Sequence, residues 1–275
     1  MIIPYGCSED VLAHYRCLRT KTPPRIDGRL DEPCWQKAAR SPRFVDLVTG
    51  RPGLYDTRMA ALWDDEALYV GYWIEEPDIQ ARLTERDSFI WTENDVEFFI
   101  AGPDAYYEFQ INALGTIYEV FYIWQEAYRR GGFSARPEFD LAGGNVDVLG
   151  GYQDASRHGR HPRGKRWAFM DWDFPGWRGA VHVEGTINDD RDIDRGWTVE
   201  LAFPWKGMES LAGGRSFPPR DGDIWRMDFS RFEAIKSAGS RLSPDPGWAL
   251  NPHGVYDSHI PECFSFVHFL RESID

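Results

Sequence analysis

The residues Tyr106-Tyr107-Glu108-Phe109-Gln110-Ile111-Asn112 alternate apolar and polar side chains, and after Ala113-Leu114-Gly115 the alternation resumes in Thr116-Ile117-Tyr118-Glu119-Val120-Phe121. A period of two puts Tyr107, Phe109 and Ile111 on one face of a strand and Glu108, Gln110 and Asn112 on the other, so the segment predicts an antiparallel hairpin closed by a glycine turn. Residues 197–203 and 225–231 repeat the two-sided pattern. Residues 67–74 are nearly continuously apolar after Asp64-Asp65-Glu66, as expected of a central strand covered on both sides. Gly, Pro, Asn and Asp clusters separate these segments, and the chain reads as an all-β, antiparallel sandwich. The polar stripes then have two readings: solvated outer faces, or a concave polar groove.

Composition narrows the class. The 275 residues are 42% hydrophobic and 15% aromatic, ample for a core, and the 12 Trp exceed what a core of this size requires, so some should lie at a surface. A formal charge of −13 disfavours nucleic acid and anionic lipid as partners. Met1-Ile2-Ile3-Pro4-Tyr5-Gly6 lacks the features of a secretory signal, and no apolar run is long enough to span a membrane. The expectation is a cytoplasmic chain as written, or a secreted or periplasmic one if a leader has been trimmed. Cys7, Cys17, Cys34 and Cys263 have no metal-ligand spacing, while Cys7 and Cys17 could pair. No repeat is visible. We expect a single domain over residues 23–275 preceded by an extension over 1–22. Long loops are expected at about 125–180, where Arg129-Arg130-Gly131-Gly132, Ala142-Gly143-Gly144-Asn145 and the basic run at 158–166 fall.

Within Phe89-Ile90-Trp91-Thr92-Glu93-Asn94-Asp95-Val96-Glu97-Phe98-Phe99-Ile100, an aromatic near a turn precedes two carboxylates in an apolar strand. An indole can stack on the C–H face of a pyranose, and a carboxylate accepts from its hydroxyls at charge-assisted strength. Four ordered blocks strengthen this reading: residues 25–35, 61–70, 94–100 and 226–231. Together they resemble the family 9 carbohydrate-binding modules, β-sandwiches of jelly-roll type within the broader DOMON-like group. The resemblance implies binding of cellulose- or xylan-type polysaccharide or oligosaccharide ends. It implies stacking by Trp91 and Trp248 and polar contacts by Glu97, Glu119 and Arg231; from the residues themselves, Trp172, flanked by carboxylates in a loop, is the next aromatic candidate and Asn112 a further polar one.

Asp190, Asp192 and Asp194 alternate in a loop that could gather calcium, although Gly196 and Leu201 break the EF-hand pattern. Family members carry structural calcium, and no other cofactor is required. A carbohydrate-active enzyme, hydrolase or lyase, is the competing class, with Glu97, Asp171 and His182 as its acid/base candidates. His253 and His259 flank residues 254–258, and no nucleophile elbow, phosphate loop or zinc-protease motif is present. A third class is a cofactor-binding DOMON-like module; haem would need axial Met or His ligands, and Met59, Met170, Met208 and Met227 show no arrangement that singles them out.

Overall fold

The structure, a computed structural model, describes residues 7–150, 161, 163–237 and 240–275. Its strands are β1 (His14–Arg19), β2 (Val45–Asp46), β3 (Thr57–Trp63), β4 (Ala67–Glu75), β5 (Asp95–Ala101), β6 (Ala105–Ile111), β7 (Ile117–Trp124) and β8 (Val146–Leu149). There follow β9 (Arg166–Phe169), β10 (Arg178–Glu184), β11 (Gly196–Pro204), β12 (Ile224–Phe232), β13 (Lys236–Ser237), β14 (Ser240–Arg241), β15 (Gly247–Ala249) and β16 (Ser265–Ser273). One hydrogen-bonded path runs β10-β11-β4-β3-β1-β16-β12-β5-β6-β7-β9-β8. Most pairings are antiparallel, but β1 runs parallel to both β16 and β3.

The path folds into two layers, because Phe203 on β11 packs against Phe98 on β5 and Phe109 on β6, with ring centroids 5.2 and 5.3 Å apart. Met59, Val70, Tyr72, Val199 and Leu201 from one layer share that interior with Val96, Ile111, Phe121, Met227 and Phe229 from the other. Each fully buried side chain of this size contributes roughly 1.5–3 kcal/mol, so this sandwich interior is the main source of stability. The predicted hairpin is β6 and β7, and its turn carries Gly115 at φ 80°, a left-handed conformation that costs glycine nothing.

Strand β4 is covered on both sides, as its sequence predicts. Leu30 and Trp35, the latter in the short helix α1 (Pro33–Lys37), pack over its outer face with Tyr69 and Ala202. Gly71 on β4 makes room for them, since a Cβ there would stand 2.8 Å from Leu30.

Three expectations change. His14–Arg19 is a strand inside the sheet, so the segment before residue 23 is not set apart from the sandwich. Among the described residues, the region 125–180 holds β8, β9, the start of β10 and two short 3-10 turns at Phe133–Ala135 and Pro137–Phe139, and β9 and β8 continue the groove layer past β7. Within the basic run, residues 158–160 and 162 lie outside the described residues. Cys7 pairs with Cys263, while Cys17 and Cys34 are free and buried. Cys17 points into the sandwich interior from β1, where no partner thiol can reach it.

Candidate functional site

Alternation along β12, β5, β6 and β7 builds a floor on the face opposite the core. Pairing aligns Ser230 with Glu97, Glu97 with Gln110, and Gln110 with Tyr118 in one row across four strands. Two residues along from Gln110, Glu108 continues the same face, and four along from Tyr118, Tyr122 does so in a row that Ala168 on β9 and Asp147 on β8 extend. Side chains two apart share a face, so this surface is polar and aromatic while Phe98, Phe109 and Phe121 fill the other side. The row lines a groove of about 680 Å³. Of the two readings of the polar stripes, the concave groove is the one realised here.

Trp91 stands at the rim on a short 3-10 turn, Ile90–Thr92, and is 49% exposed. Phe89 lies beside it, ring centroids 5.7 Å apart, and Tyr118 makes an edge contact with Phe89 at 6.1 Å. Glu93 anchors this turn: its carboxylate accepts from the backbone N–H groups of Arg82 and Leu83 and from Asn112 Nδ2 at 2.9 Å. Tyr256, Asp257, Ser258 and His259 supply a further part of the lining, and Phe232 meets Tyr256 at 5.6 Å.

The floor is a bridged pair of carboxylates. Gln110 Nε2 donates to Glu97 Oε1 at 2.9 Å and to Glu108 Oε1 at 2.7 Å. Ser230 Oγ donates to Glu97 Oε2 at 3.0 Å, and the Tyr122 hydroxyl to Glu108 Oε2 at 2.7 Å. Burial pushes Glu108 up to about 7, against the hydrogen bonds from Tyr122 and Gln110. Burial, reinforced by the neighbouring Asp95 and Glu108, raises Glu97 well above the carboxylate range. The two acids therefore titrate as a pair that retains a proton near neutrality. His259 moves the opposite way: burial, with Arg166 and His253 adding to it, lowers it to about 3. It is a neutral imidazole at ordinary pH.

The structure brings Trp91 and Glu97 together and sends the other sequence candidates elsewhere. Trp248 is 1% exposed, donates from Nε1 to Thr57 Oγ1 at 3.1 Å, and lies under the Arg231 guanidinium at 5.0 Å. Arg231 is buried among Glu76, Glu233, Thr57 and the Glu75 carbonyl. Glu119 accepts from Arg86, the Tyr107 hydroxyl and the Phe174 N–H. Both Glu119 and Arg231 stand one position out of phase with the floor, facing Phe109 and Val96 across the ladder. Asn112 caps the hairpin turn, its Oδ1 accepting from Leu114 and Thr116, and reaches the site only by holding Glu93. Trp172 packs inside, 4.8 Å from Phe121.

Glu97, Asp171 and His182 are not one site. Asp171 lines a separate cavity and accepts from the Asn145 N–H, while His182 lies on β10 beside Arg29. Of the four methionines weighed for haem, Met59, Met208 and Met227 are in the core and Met170 lines the groove. Sequence reasoning passed over Glu108, Gln110, Tyr118, Tyr122 and Tyr256 as ligand contacts, whereas His259, singled out there with His253 for acid/base or metal chemistry, does line the groove. The first four could have been found by extending the parity of Glu97 across the ladder.

Asp190, Asp192 and Asp194 do not converge. Asp194 is committed to the N–H groups of Ile79 and Thr186, Asp190 points outward, and Asp192 meets only the Thr186 hydroxyl at 3.4 Å. Among the described residues the acidic group that does converge is Asp27, Glu32 and Glu200, with ligand oxygens within 4.8 Å of one another. Glu200 accepts from Trp35 Nε1 and from the Asp27 and Gly28 N–H groups, and Glu32 Oε2 is buried without a partner. An all-oxygen donor set with an unfilled acceptor suits a hard cation.

The fold and the groove define a β-sandwich with an aromatic-rimmed, acceptor-rich recess. Residues 54–130 match the model of carbohydrate-binding family 9. That stretch carries Trp91, Glu97, Glu108, Gln110, Tyr118 and Tyr122, so the resemblance read from the sequence holds over the segment that builds most of the floor. Among solved structures, a protein from Bacteroides uniformis whose carbohydrate binding is inferred superposes with a TM-score of 0.62 at 14% identity, covering 94% of this chain and 99% of that one. A family 9 carbohydrate-binding module from Caldicellulosiruptor kristjanssonii, in complex with cellotriose, gives 0.53 at 14% identity, over 94% and 95% of the two chains. Its complex with glucose gives 0.53 at 14%, over 94% and 98%. These likenesses establish the fold. No curated protein matches the chain.

Proposed function

We propose that this chain is a carbohydrate-binding module whose groove takes an oligosaccharide end of the cellulose or xylan type. The observation that carries the reading is the half-exposed Trp91 beside the buried Glu97–Gln110–Glu108 floor, inside the segment that matches the family. Trp91 stacks on the apolar face of a pyranose, and Glu97, Glu108 and the Gln110 carbonyl accept from its hydroxyls. The structurally similar Caldicellulosiruptor module was solved with cellotriose and with glucose, which favours glucose-type ligands.

Two subsidiary points belong to the same reading. Asp27, Glu32 and Glu200 hold a structural calcium ion that ties the segment before α1 to β11; the melting temperature should rise on adding calcium and fall with chelator. The Cys7–Cys263 link suits an oxidising compartment, so the protein works outside the cytoplasm.

Calorimetric titration with glucose, xylose, cellobiose and xylobiose, followed by chromatography of each mixture, tests the main proposal. Saturable heat with intact ligand supports it. Cleaved ligand would make the protein an enzyme, and absence of heat with every sugar would overturn it.

A further inference from the structure

The groove floor offers acceptors and no cation. Among the described residues that line it there is no Arg or Lys, whereas Glu97, Glu108, Asp147 and Asp257 all do so. His259, the remaining basic side chain there, is neutral. Arg166 lies beneath, stacked on Trp124 at 4.6 Å and donating to the His259 carbonyl at 2.6 Å.

A second observation concerns Gln110. Both carboxylates fix its amide orientation, because Nε2 has to face Glu97 and Glu108. Its Oε1 is then left buried without a donor, although the residue is 1% exposed and lines the groove. A buried amide oxygen without a donor is unfavourable, and a ligand that donates there relieves it. An acceptor-rich floor, whose acid pair gives up its shared proton when a cation enters beside it, favours a group rich in donors. A sugar hydroxyl brings one donor together with lone pairs that face the carboxylates. A protonated amine brings three donors and a positive charge.

We infer that the floor of the groove receives the ammonium group of an amino sugar, so that the preferred ligand is a glucosamine-type pyranose or its β-linked oligomer. The inference rests on the carbohydrate-binding reading above and sharpens it. The ammonium group sits over the Glu97–Gln110–Glu108 row on its groove side, donates to Gln110 Oε1 and to the flanking carboxylates, and leaves the sugar face free to stack on Trp91. N-acetylation removes the charge and two of the three donors. A uronic acid places a second negative charge against the carboxylates, and the groove rejects it.

The test is calorimetry on the intact protein with cellobiose, the glucosamine disaccharide, its N,N′-diacetyl form and glucuronic acid, in low and in high salt. The glucosamine disaccharide should bind at least about tenfold more tightly than cellobiose, and most of the advantage should survive high salt, since a buried charge pair is screened much less than an exposed one. Glu108→Gln should bring the ratio of the two affinities close to unity. If that variant fails to fold, the wild-type panel alone decides. Cellobiose binding as well as the amine, or glucuronic acid binding better, would overturn the inference and leave the carbohydrate-binding reading standing. Failure of every sugar to bind would remove both.

Discussion

Two tryptophans show how position decides what the same side chain does. Trp91 projects from a turn at the groove and is held by few neighbours, whereas Trp248 is enclosed and hydrogen-bonded to Thr57. Trp91→Ala should therefore abolish sugar binding, as calorimetry would read it, and change folding stability by no more than about 0.5 kcal/mol. Trp248→Ala should cost about 3–5 kcal/mol in a denaturant titration, because it empties a large volume and exposes the buried Arg231 network. A Trp91 variant that unfolds would place that indole in the core and remove the stacking argument.

At the scale of the element, the register of the ladder separates recognition from support. Glu97 on β5 and Glu119 on β7 are both buried acids of the same ladder, one strand apart, yet Glu97 faces the groove and Glu119 faces Tyr107 and Phe174. Glu119→Gln should leave sugar affinity within about twofold while lowering stability by about 1–3 kcal/mol, the cost of disturbing a buried acceptor set. A large drop in affinity with unchanged stability would mean that the ladder has been misassigned. The strands themselves were legible in the chain, since period-two alternation in β6, β7, β11 and β12 is a local property. So were the turn at Gly115 and the two-sided cover of β4. What the sequence withheld was which strands become neighbours. Glu119 and Arg231 were natural candidates by residue type, but only pairing reveals that they are out of phase with Glu97. Val146–Leu149 is too short to announce itself as a strand, and the distance from Cys7 to Cys263 along the chain hides their meeting. Burial of Trp248 depends on β2 and β12 closing around β15, which no local pattern encodes.

Across the whole molecule, buried acids make stability depend on pH with a definite sign. Burial raises Glu119 to about 6, Glu108 to about 7 and Glu233 to about 8, against about 4.3 for a free glutamate. The native state then holds more protons than the unfolded state, so this contribution is complete below the unfolded value and is lost as pH rises through 6 to 8. His259 opposes it at the acid end: lowered to about 3 from about 6.5, it favours the folded state above the unfolded value, and that contribution is lost as pH falls toward 3. The two contributions overlap between the unfolded values of about 4.3 and 6.5, where three raised acids outweigh one lowered histidine, so melting temperature should already be falling from about pH 5 and go on falling to pH 8. A melting temperature that climbs steadily from pH 6 to 8 would contradict the buried-acid account. The link between Cys7 and Cys263 has a different consequence, which concerns force. Tension applied at Cys7 and at the far end of β16 crosses directly to Cys263 and runs along β16 alone, so the rest of the sandwich lies outside the load path. Without the link, the same pull shears the parallel hydrogen bonds between β1 and β16 together. We predict that single-molecule extension of the oxidised protein yields only a short segment before rupture, and that reductant releases nearly the whole chain. A module gripping a polysaccharide while tethered at its ends would thus hold its grip mechanically for as long as the thiols stay oxidised.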